Sequence, residues 1–310
     1  MRRFSNISTT QIARICGVSQ GTVDRALHNR PGVNPETRER ILAVAREYGY
    51  APGISEKARF GEHSMLIGAV LYDLYNEYFS KLAMSLTEVA RQAGYSIIFL
   101  FSEKKIEEEK AAVDYFHFIG VDGILLFSVG SDDSEYLSYL KSIKRPLVTI
   151  GNRLNGIAHV GIDDEAAMYD LTQEIARTAE EGELQYFSPV VAKALNKDNA
   201  QLLRLRGFMR AAEELGRDYK IVTDEEELSP KTGGIICSTD HYLLRAVGAL
   251  GRDIEAKLAG FDNTSVPKRL NIRAASVEYS TDEIAEETIK YLLGRPYNAR
   301  ISHRIVYNDD

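Results

Sequence analysis

The sequence predicts a small all-helical unit at the N terminus, followed by a larger two-lobed α/β body built on parallel sheets. Three observations carry this expectation. Residues 8–50 hold three short helical patterns, each with its own start and stop signals. From residue 65 onward, apolar β-branched runs alternate with helical patterns, as parallel strands joined by crossover helices do. The alternation comes in two successive series, so two doubly wound halves with a cleft between them are expected, and ligands of such sheets bind beyond the carboxyl ends of the strands.

In the N-terminal unit, Ser8 and Gln11 form a capping box ahead of Ile12, Ala13, Ile15 and Cys16. Gly17 ends that helix where the chain needs a residue free of Cβ strain. Ser19 then caps a second helix with Val23, Ala26 and Leu27 on its buried face, and Asn34-Pro35 opens a third with Ile41, Leu42, Ala45 and Tyr48 facing inward. Three helices of this size bury too small a core for an independent enzyme but suit a groove-binding helix-turn-helix module.

In the body, strands are expected at 66–72, 95–101, 122–129 and 146–151, with helices at 77–93, 105–119 and 133–144, the last capped by Ser131 or Asp132. The second series reads helix 164–179, strand 184–188, helix 198–215 and strand 234–239. A helix to Leu250, strands 258–262 and 274–279, and a helix capped by Ser280 with Glu283 complete it. Between KIVT (220–223) and GIICST (234–239) only about ten residues intervene, fewer than a parallel crossover normally needs, which predicts a trimmed second lobe with an altered cleft wall.

The 310-residue chain carries a formal net charge of −7, yet residues 1–60 are net +5 and the remainder net −12. A basic module on an acidic body suits local phosphate binding with a non-sticky remainder. No apolar run follows the basic N terminus as in a secretory signal, and none approaches the ~18 residues of a membrane helix, so a cytoplasmic protein without membrane association is expected. Two cysteines and six scattered histidines offer no disulfide framework and no metal-ligand spacing. Neither a metal nor a cofactor is expected.

Gly17-Val18-Ser19, Thr22-Val23 and Arg25, then Asn29-Arg30-Pro31-Gly32-Val33, Glu36-Thr37-Arg38 and Tyr48-Gly49-Tyr50, together resemble the DNA-binding headpiece of the lactose-repressor (LacI/GalR) family. The resemblance implies that Gln20, Gly21 and Arg25 read bases in the major groove. Thr10, His28 and Arg38 then lie near the sugar-phosphate backbone, and Ser19 and Thr22 belong to the same DNA-facing set. Arg25 suits a bidentate pair with guanine and Gln20 one with adenine. Two departures stand out. Asp24 replaces the family's usual small hydroxyl residue and should repel phosphate unless Arg25 or Arg38 compensates, and Gly21 offers no side chain. The connector 51–64 corresponds to the family's hinge, whose usual minor-groove leucine is missing; Ile54 or, better placed, Phe60 substitutes, or the segment is a plain tether.

Over the body, the resemblance is to the type I periplasmic sugar-binding fold that serves this family as an effector domain. The organisation implied is a headpiece at 1–50, a hinge linker at 51–64 and a two-lobed effector and dimerisation domain at 65–310. Relatives place a full crossover helix where this chain has the short 224–233 segment. Candidate effector contacts sit at strand ends: Asp73, Asn76 and Phe79; Asn152 and Arg153; Asp163; Arg204; Asp240; Asp262; and Tyr279. Arg204 and Asp262 match the family's ligand residues best. The other polar ones serve equally well as helix caps or lobe–lobe ion pairs, and Tyr279 as core packing.

The function implied is a homodimeric transcriptional regulator, a repressor, that binds a pseudo-palindromic operator under control of a small sugar or sugar-phosphate effector. A regulator whose degenerate effector lobe answers to a protein partner, or to nothing, is the alternative, and a sugar receptor without a DNA role ranks behind both. Gly17-x-Ser19-x-Gly21 matches an esterase nucleophile elbow literally, but a helix precedes it where that motif needs a strand.

Overall fold

A computed structural model describes residues 7–28, 30–48, 50, 63–129, 134–179, 181–190, 199–251 and 254–308. The chain divides into two compact units on either side of residue 62.

The first unit is a three-helix bundle: α1 (Thr9–Cys16), α2 (Gln20–Leu27) and α3 (Pro35–Glu47). Both halves of the Ser8–Gln11 capping box are made, and Gly17 closes α1 in the left-handed region at φ 61°. Ser19 accepts from Thr22 N at the start of α2, and Asn34 accepts from Glu36 N ahead of Pro35. Ile12, Cys16, Val23, Ala26, Ile41 and Ala45 form the core. Tyr48 departs from expectation. The helix stops at Glu47, so Tyr48 leaves the phase set by Ile41 and lies about half exposed, while Tyr50 packs on the core instead. Ile54 and Phe60 lie outside the described residues.

The second unit has two sheets. The N lobe orders β2-β1-β3-β4-β5, where β1 is Leu66–Leu71, β2 Ser96–Phe101, β3 Gly123–Leu126, β4 Leu147–Ile150 and β5 Ala158–Val160, all parallel. Helices α4 (Glu77–Gln92), α5 (Ile106–Ile119) and α6 (Ser134–Ser142) connect the first four strands. After β5 the chain enters the C lobe as α7 (Asp164–Thr178). β6 (Leu184–Phe187), α8 (Ala200–Glu214), β7 (Tyr219–Val222), β8 (Gly234–Cys237), α9 (Asp240–Leu250), β9 (Lys257–Phe261), α10 (Val266–Leu270) and β10 (Ala274–Glu278) follow. Then α11 (Thr281–Leu292) returns to the N lobe, packing on α4 and β3 to β5, and β11 (Arg304–Tyr307) rejoins the C lobe antiparallel to β10. The C-lobe order is β11-β10-β9-β8-β6-β7.

Three connections therefore join the lobes, and two of them bind each other: Gly161 N donates to Ala299 O at 3.1 Å and Ile301 N to Gly161 O at 2.9 Å. Strands buried on both faces explain the unbroken apolar runs. In the C lobe, Leu184, Tyr186 and Ile236 pack under α7 and α8, while the alternate residues Phe187, Ile235 and Cys237 pack under α9. The trimmed β7–β8 connection holds one 3₁₀ turn, Glu225–Glu227, in place of a helix. Leu228 plugs the core below it, and Arg245 of α9 grips Glu225 at 2.6 Å.

Candidate DNA-binding face and effector cleft

On the first unit, α2 turns Val23 and Ala26 inward and leaves Gln20, Gly21 and Arg25 exposed. Side-chain hydrogen bonds order this face from both ends. Ser19 Oγ contacts Thr22 Oγ1 at 2.9 Å, and Gln20 Nε2 donates to Thr9 Oγ1 at 3.1 Å, tying α2 to α1. Thr10 is exposed on the first turn of α1. His28 and Arg38 are less free to meet phosphate than the sequence suggested. His28 turns its ring against Asp24, Nδ1 to Oδ1 at 3.1 Å, leaving its side chain 5 % exposed. Half-buried Arg38 donates to the Arg30 carbonyl. Asp24 also has neighbours that the sequence did not suggest, the ring of His28 and Arg30 at 3.3 Å. That leaves Arg25 without a competing carboxylate on its own helix, because Asp24 is pulled toward the end of α2.

On the second unit, a cleft of about 620 Å³ opens between the lobes at the carboxyl ends of the strands. Its N-lobe wall is aromatic. Phe79 and Phe127 meet edge to face with centroids 4.8 Å apart, Tyr72 adds a third ring 4.8 Å from Phe127, and Tyr78 bridges Phe79 to Tyr279 on the crossover after β10. Of these rings only Phe79 and Tyr279 were singled out from the sequence.

The C-lobe wall is charged and centres on Arg204. The inward stripe of α8 reads Ala200, Arg204, Gly207, Phe208, Ala211, which places an arginine in an apolar row. Gly207 lets α8 approach α7 closely, since an added Cβ would lie 2.2 Å from the Glu165 carbonyl oxygen. In that contact Arg204 Nε donates to Asp164 Oδ1 at 2.8 Å, Nη1 donates to Ser238 O at 2.7 Å, and Nη2 lies 3.7 Å from Asp262 Oδ1. The guanidinium also stacks on Phe261, 3.6 Å from the ring centroid. Burial opposes the charge on Arg204, but Asp164 and then Asp262 outweigh it and hold its pKa up. Burial likewise pushes the Asp164 carboxyl up, against the pull of Arg204. Asp262 takes a hydrogen bond from Tyr279 Oη at 2.8 Å and sits at φ 93°, a strained backbone for a residue with a side chain.

The remaining expected contacts divide. Asp73 and Asn76 line the cleft while also closing local turns, accepting from Tyr75 N and Tyr78 N at 3.0 Å. Asn152 lines it too and spans the lobes: Nδ2 donates to Tyr72 Oη and Ser128 O, and Oδ1 accepts from Ala200 N. Three expected residues are not part of the lining. Asp163 caps α7 through Ala166 N and pairs with Arg300, because the next residue, Asp164, occupies the inward stripe. Asp240 is fully buried behind the wall, accepting from Thr264 N, Thr264 Oγ1 and Ser276 Oγ; burial first, with Asp262 adding, pushes its pKa up to about 7. Arg153 reaches the Ile162 carbonyl on a crossover. Sequence reasoning missed Asp164 and also His159, which lines the cleft; burial and then Arg153 hold its pKa down to about 3, so its ring is neutral. None of the described lining residues comes from the trimmed connection at 223–233.

Comparison with known proteins agrees with both units. Residues 10–53 match the family described as bacterial regulatory proteins, lacI family, and residues 64–228 match periplasmic binding proteins and sugar binding domain of LacI family. The second match ends inside the trimmed connection. Catabolite control protein A of Priestia megaterium is 25 % identical over 310 aligned residues, covering 93 % of this chain and 92 % of its own length. The fold is that of a lac repressor dimer bound to operator and the anti-inducer ONPF, at a TM-score of 0.71 and 16 % identity over 97 % of this chain and 98 % of that one. A transcriptional regulator CelR–cellobiose complex matches with the same coverage at a TM-score of 0.63 and 18 % identity. No described helix is long and apolar enough to cross a membrane.

Proposed function

The chain belongs to the LacI family of bacterial regulatory proteins and is a DNA-binding transcriptional regulator; from that premise we propose that it acts as a homodimer on a pseudo-palindromic operator and that a sugar or sugar phosphate held in the cleft sets its grip. The observation that carries the effector half is the cleft itself, where an aromatic wall faces a buried Arg204–Asp164–Asp262 cluster. Rings stack on sugar faces, and the cluster supplies fixed donors and acceptors for hydroxyls. The relative in complex with cellobiose supports that chemistry, and the lac repressor dimer on its operator supports two-fold pairing on DNA. Arg25 and Gln20 on the exposed face of α2 are the proposed base readers, with Thr10 and the first turn of α2 beside the backbone. A dimer of such headpieces calls for half-sites about one helical turn apart.

The test is selection of DNA sites by the full chain from a random pool, followed by titration of the winning site with and without sugars. A two-fold symmetric site whose affinity falls steeply with salt and shifts with one sugar is the expected result. An asymmetric site would overturn the dimer reading, and an affinity indifferent to every sugar would overturn the effector reading. The short β7–β8 segment favours the alternative of a regulator answering to a protein partner, but it lies away from the described cleft lining.

A further inference from the structure

Resting on the effector reading above, we infer that His159 is a specificity-determining residue of the cleft: its Nε2 accepts a hydrogen bond from one hydroxyl of the bound sugar. Strand pairing places the ring. His159 lies opposite Thr149 across the parallel β4–β5 pair, with its Nδ1 3.0 Å from Thr149 Oγ1. Gly161 follows two residues later on the same side of the chain, where an added Cβ would lie 2.8 Å from His159 Nε2. The glycine therefore leaves the ring room to lean toward the carboxyl end of β5, and both His159 and Gly161 line the cleft.

Counting protons fixes which nitrogen is the acceptor. Thr149 Oγ1 lies 3.1 Å from the Ala158 carbonyl oxygen, which can only accept, so the one hydroxyl proton of Thr149 goes there. The Thr149 oxygen then meets His159 Nδ1 as an acceptor, and Nδ1 must carry a hydrogen. A neutral imidazole has a single N–H, and burial and then Arg153 hold this ring neutral, so Nε2 presents a lone pair and no proton. Among the described residues no donor reaches Nε2. Thr149 is fully buried, so the tautomer is set from inside the sheet and stands ready before a ligand arrives. A hydroxyl at that place satisfies the acceptor. A ligand with hydrogen or an ether oxygen there leaves it unpaired, and sites built around such a bond reject the analogue that lacks the donor.

The first arm of the experiment needs no ligand. NMR of the full chain labelled with 15N-histidine reads the tautomer, the His159 signals being identified by their loss in His159→Gln. A protonated Nδ1 with a bare Nε2 is the expected result, and the reverse would overturn the inference. Thr149→Val removes the oxygen that Nδ1 meets and should move the proton toward Nε2; an unchanged tautomer would refute the proton count. The second arm is calorimetric titration with glucose, ribose, trehalose, cellobiose and their phosphate esters, followed by the singly deoxygenated forms of whichever binds. One deoxy form should lose about tenfold or more in affinity on the wild type and no more than about threefold on His159→Phe, which keeps a ring but no nitrogen. His159→Gln, whose amide oxygen can stand in for Nε2, should restore part of the gap. Thr149→Val should lose the same discrimination, which keeps the comparison available where His159→Phe does not fold. If every deoxy form loses as much on these variants as on the wild type, the inference is overturned while the effector reading stands. If none of the sugars or esters binds the wild type, the effector reading itself falls and the hydroxyl assigned to His159 falls with it.

Discussion

Replacing Arg204 with leucine tests whether the cluster in the cleft wall is the buried ion pair that the geometry describes. Arg204 and Asp164 have side chains 9 % and 6 % exposed, so solvent screens their interaction little. Removing the arginine strands Asp164 in a low-dielectric wall, and breaking such a pair from one side typically costs about 3–5 kcal/mol. For a domain of this size roughly 1 kcal/mol moves the melting temperature by about 2–4 °C, so Arg204→Leu should lower it by roughly 6–20 °C. The second half of the cycle is diagnostic. Asp164→Asn in the Arg204→Leu background removes the stranded charge and should return a large part of the loss, giving a coupling well above the ~0.5 kcal/mol expected of independent sites. The assay is thermal unfolding of the four proteins of the cycle at pH 7. Arg204→Leu within about 1 °C of wild type, or two losses that simply add, would refute the buried-pair reasoning. The cycle also governs how ligand loss in an Arg204 variant is read, since part of any such loss reflects the altered wall.

Three further outcomes follow from single residues. Arg25→Ala should reduce the preference for operator over random DNA by about 1–3 kcal/mol, the worth of one bidentate base contact, while leaving non-specific affinity at low salt almost unchanged; competition binding checks it. Asp240 has a native pKa near 7, far above its unfolded value, so the folded state holds the extra proton between about pH 4 and 7 and stability falls as pH rises through that window. Asp240→Asn should flatten that slope in urea titrations, and a slope as steep as wild type would show that another group causes it. At Gly260 an added Cβ would lie 2.0 Å from Asp240 Oδ1 and 3.1 Å from its Cα, so Gly260→Ala should cost about 1–3 kcal/mol by overpacking, read as a lowered melting temperature.

What the sequence showed, and what it hid, follows from how far apart the determining residues lie. Ser8 with Gln11, Gly17, Ser19 and Asn34-Pro35 act within three or four residues, and each does in the fold what its local pattern announces. Strand β5, three residues long, and β11, four, are too short to show a period, and α10 spans barely one turn. Two of the three site errors have one cause. Asp163 and Asp240 were chosen because they follow strands, yet helical phase decides where a carboxylate points. In α7 the inward stripe is Asp164, Ala167, Met168, Leu171, Ile175, and in α9 it is Asp240, Leu243, Ala246. Extending those stripes back one turn would have placed Asp164 inside with Arg204 as its partner and Asp240 in the core. The aromatic wall was less accessible, because Tyr72, Tyr78 and Phe127 lie far apart in the chain and meet only where β1 and β3 pair.

The cleft and the lobe contacts share a short stretch of chain, which gives effector control a physical route. Asp262 faces Arg204 and Tyr279 in the wall, and its neighbour Asn263 offers its carbonyl to Lys81 of α4 across the lobes at 3.1 Å. Two residues further on, Ser265 donates to Glu77, one turn along α4 from Lys81, through both N and Oγ. Asp262 and Asn263 both have positive φ, at 93° and 43°, and Asp240 pins the next residue through Thr264 N and Oγ1. A segment held in that conformation by contacts at both ends has little freedom to yield gradually. On the opposite side of the cleft, Asn152 lines the cavity and bridges Tyr72 to Ala200. A ligand bonding to Asp262 or Asn152 therefore competes or cooperates with interlobe hydrogen bonds on the same residues. The free energy with which it favours one lobe arrangement is the free energy it can pass to DNA affinity, typically about 1–3 kcal/mol, and by linkage the operator must alter ligand affinity by the same factor.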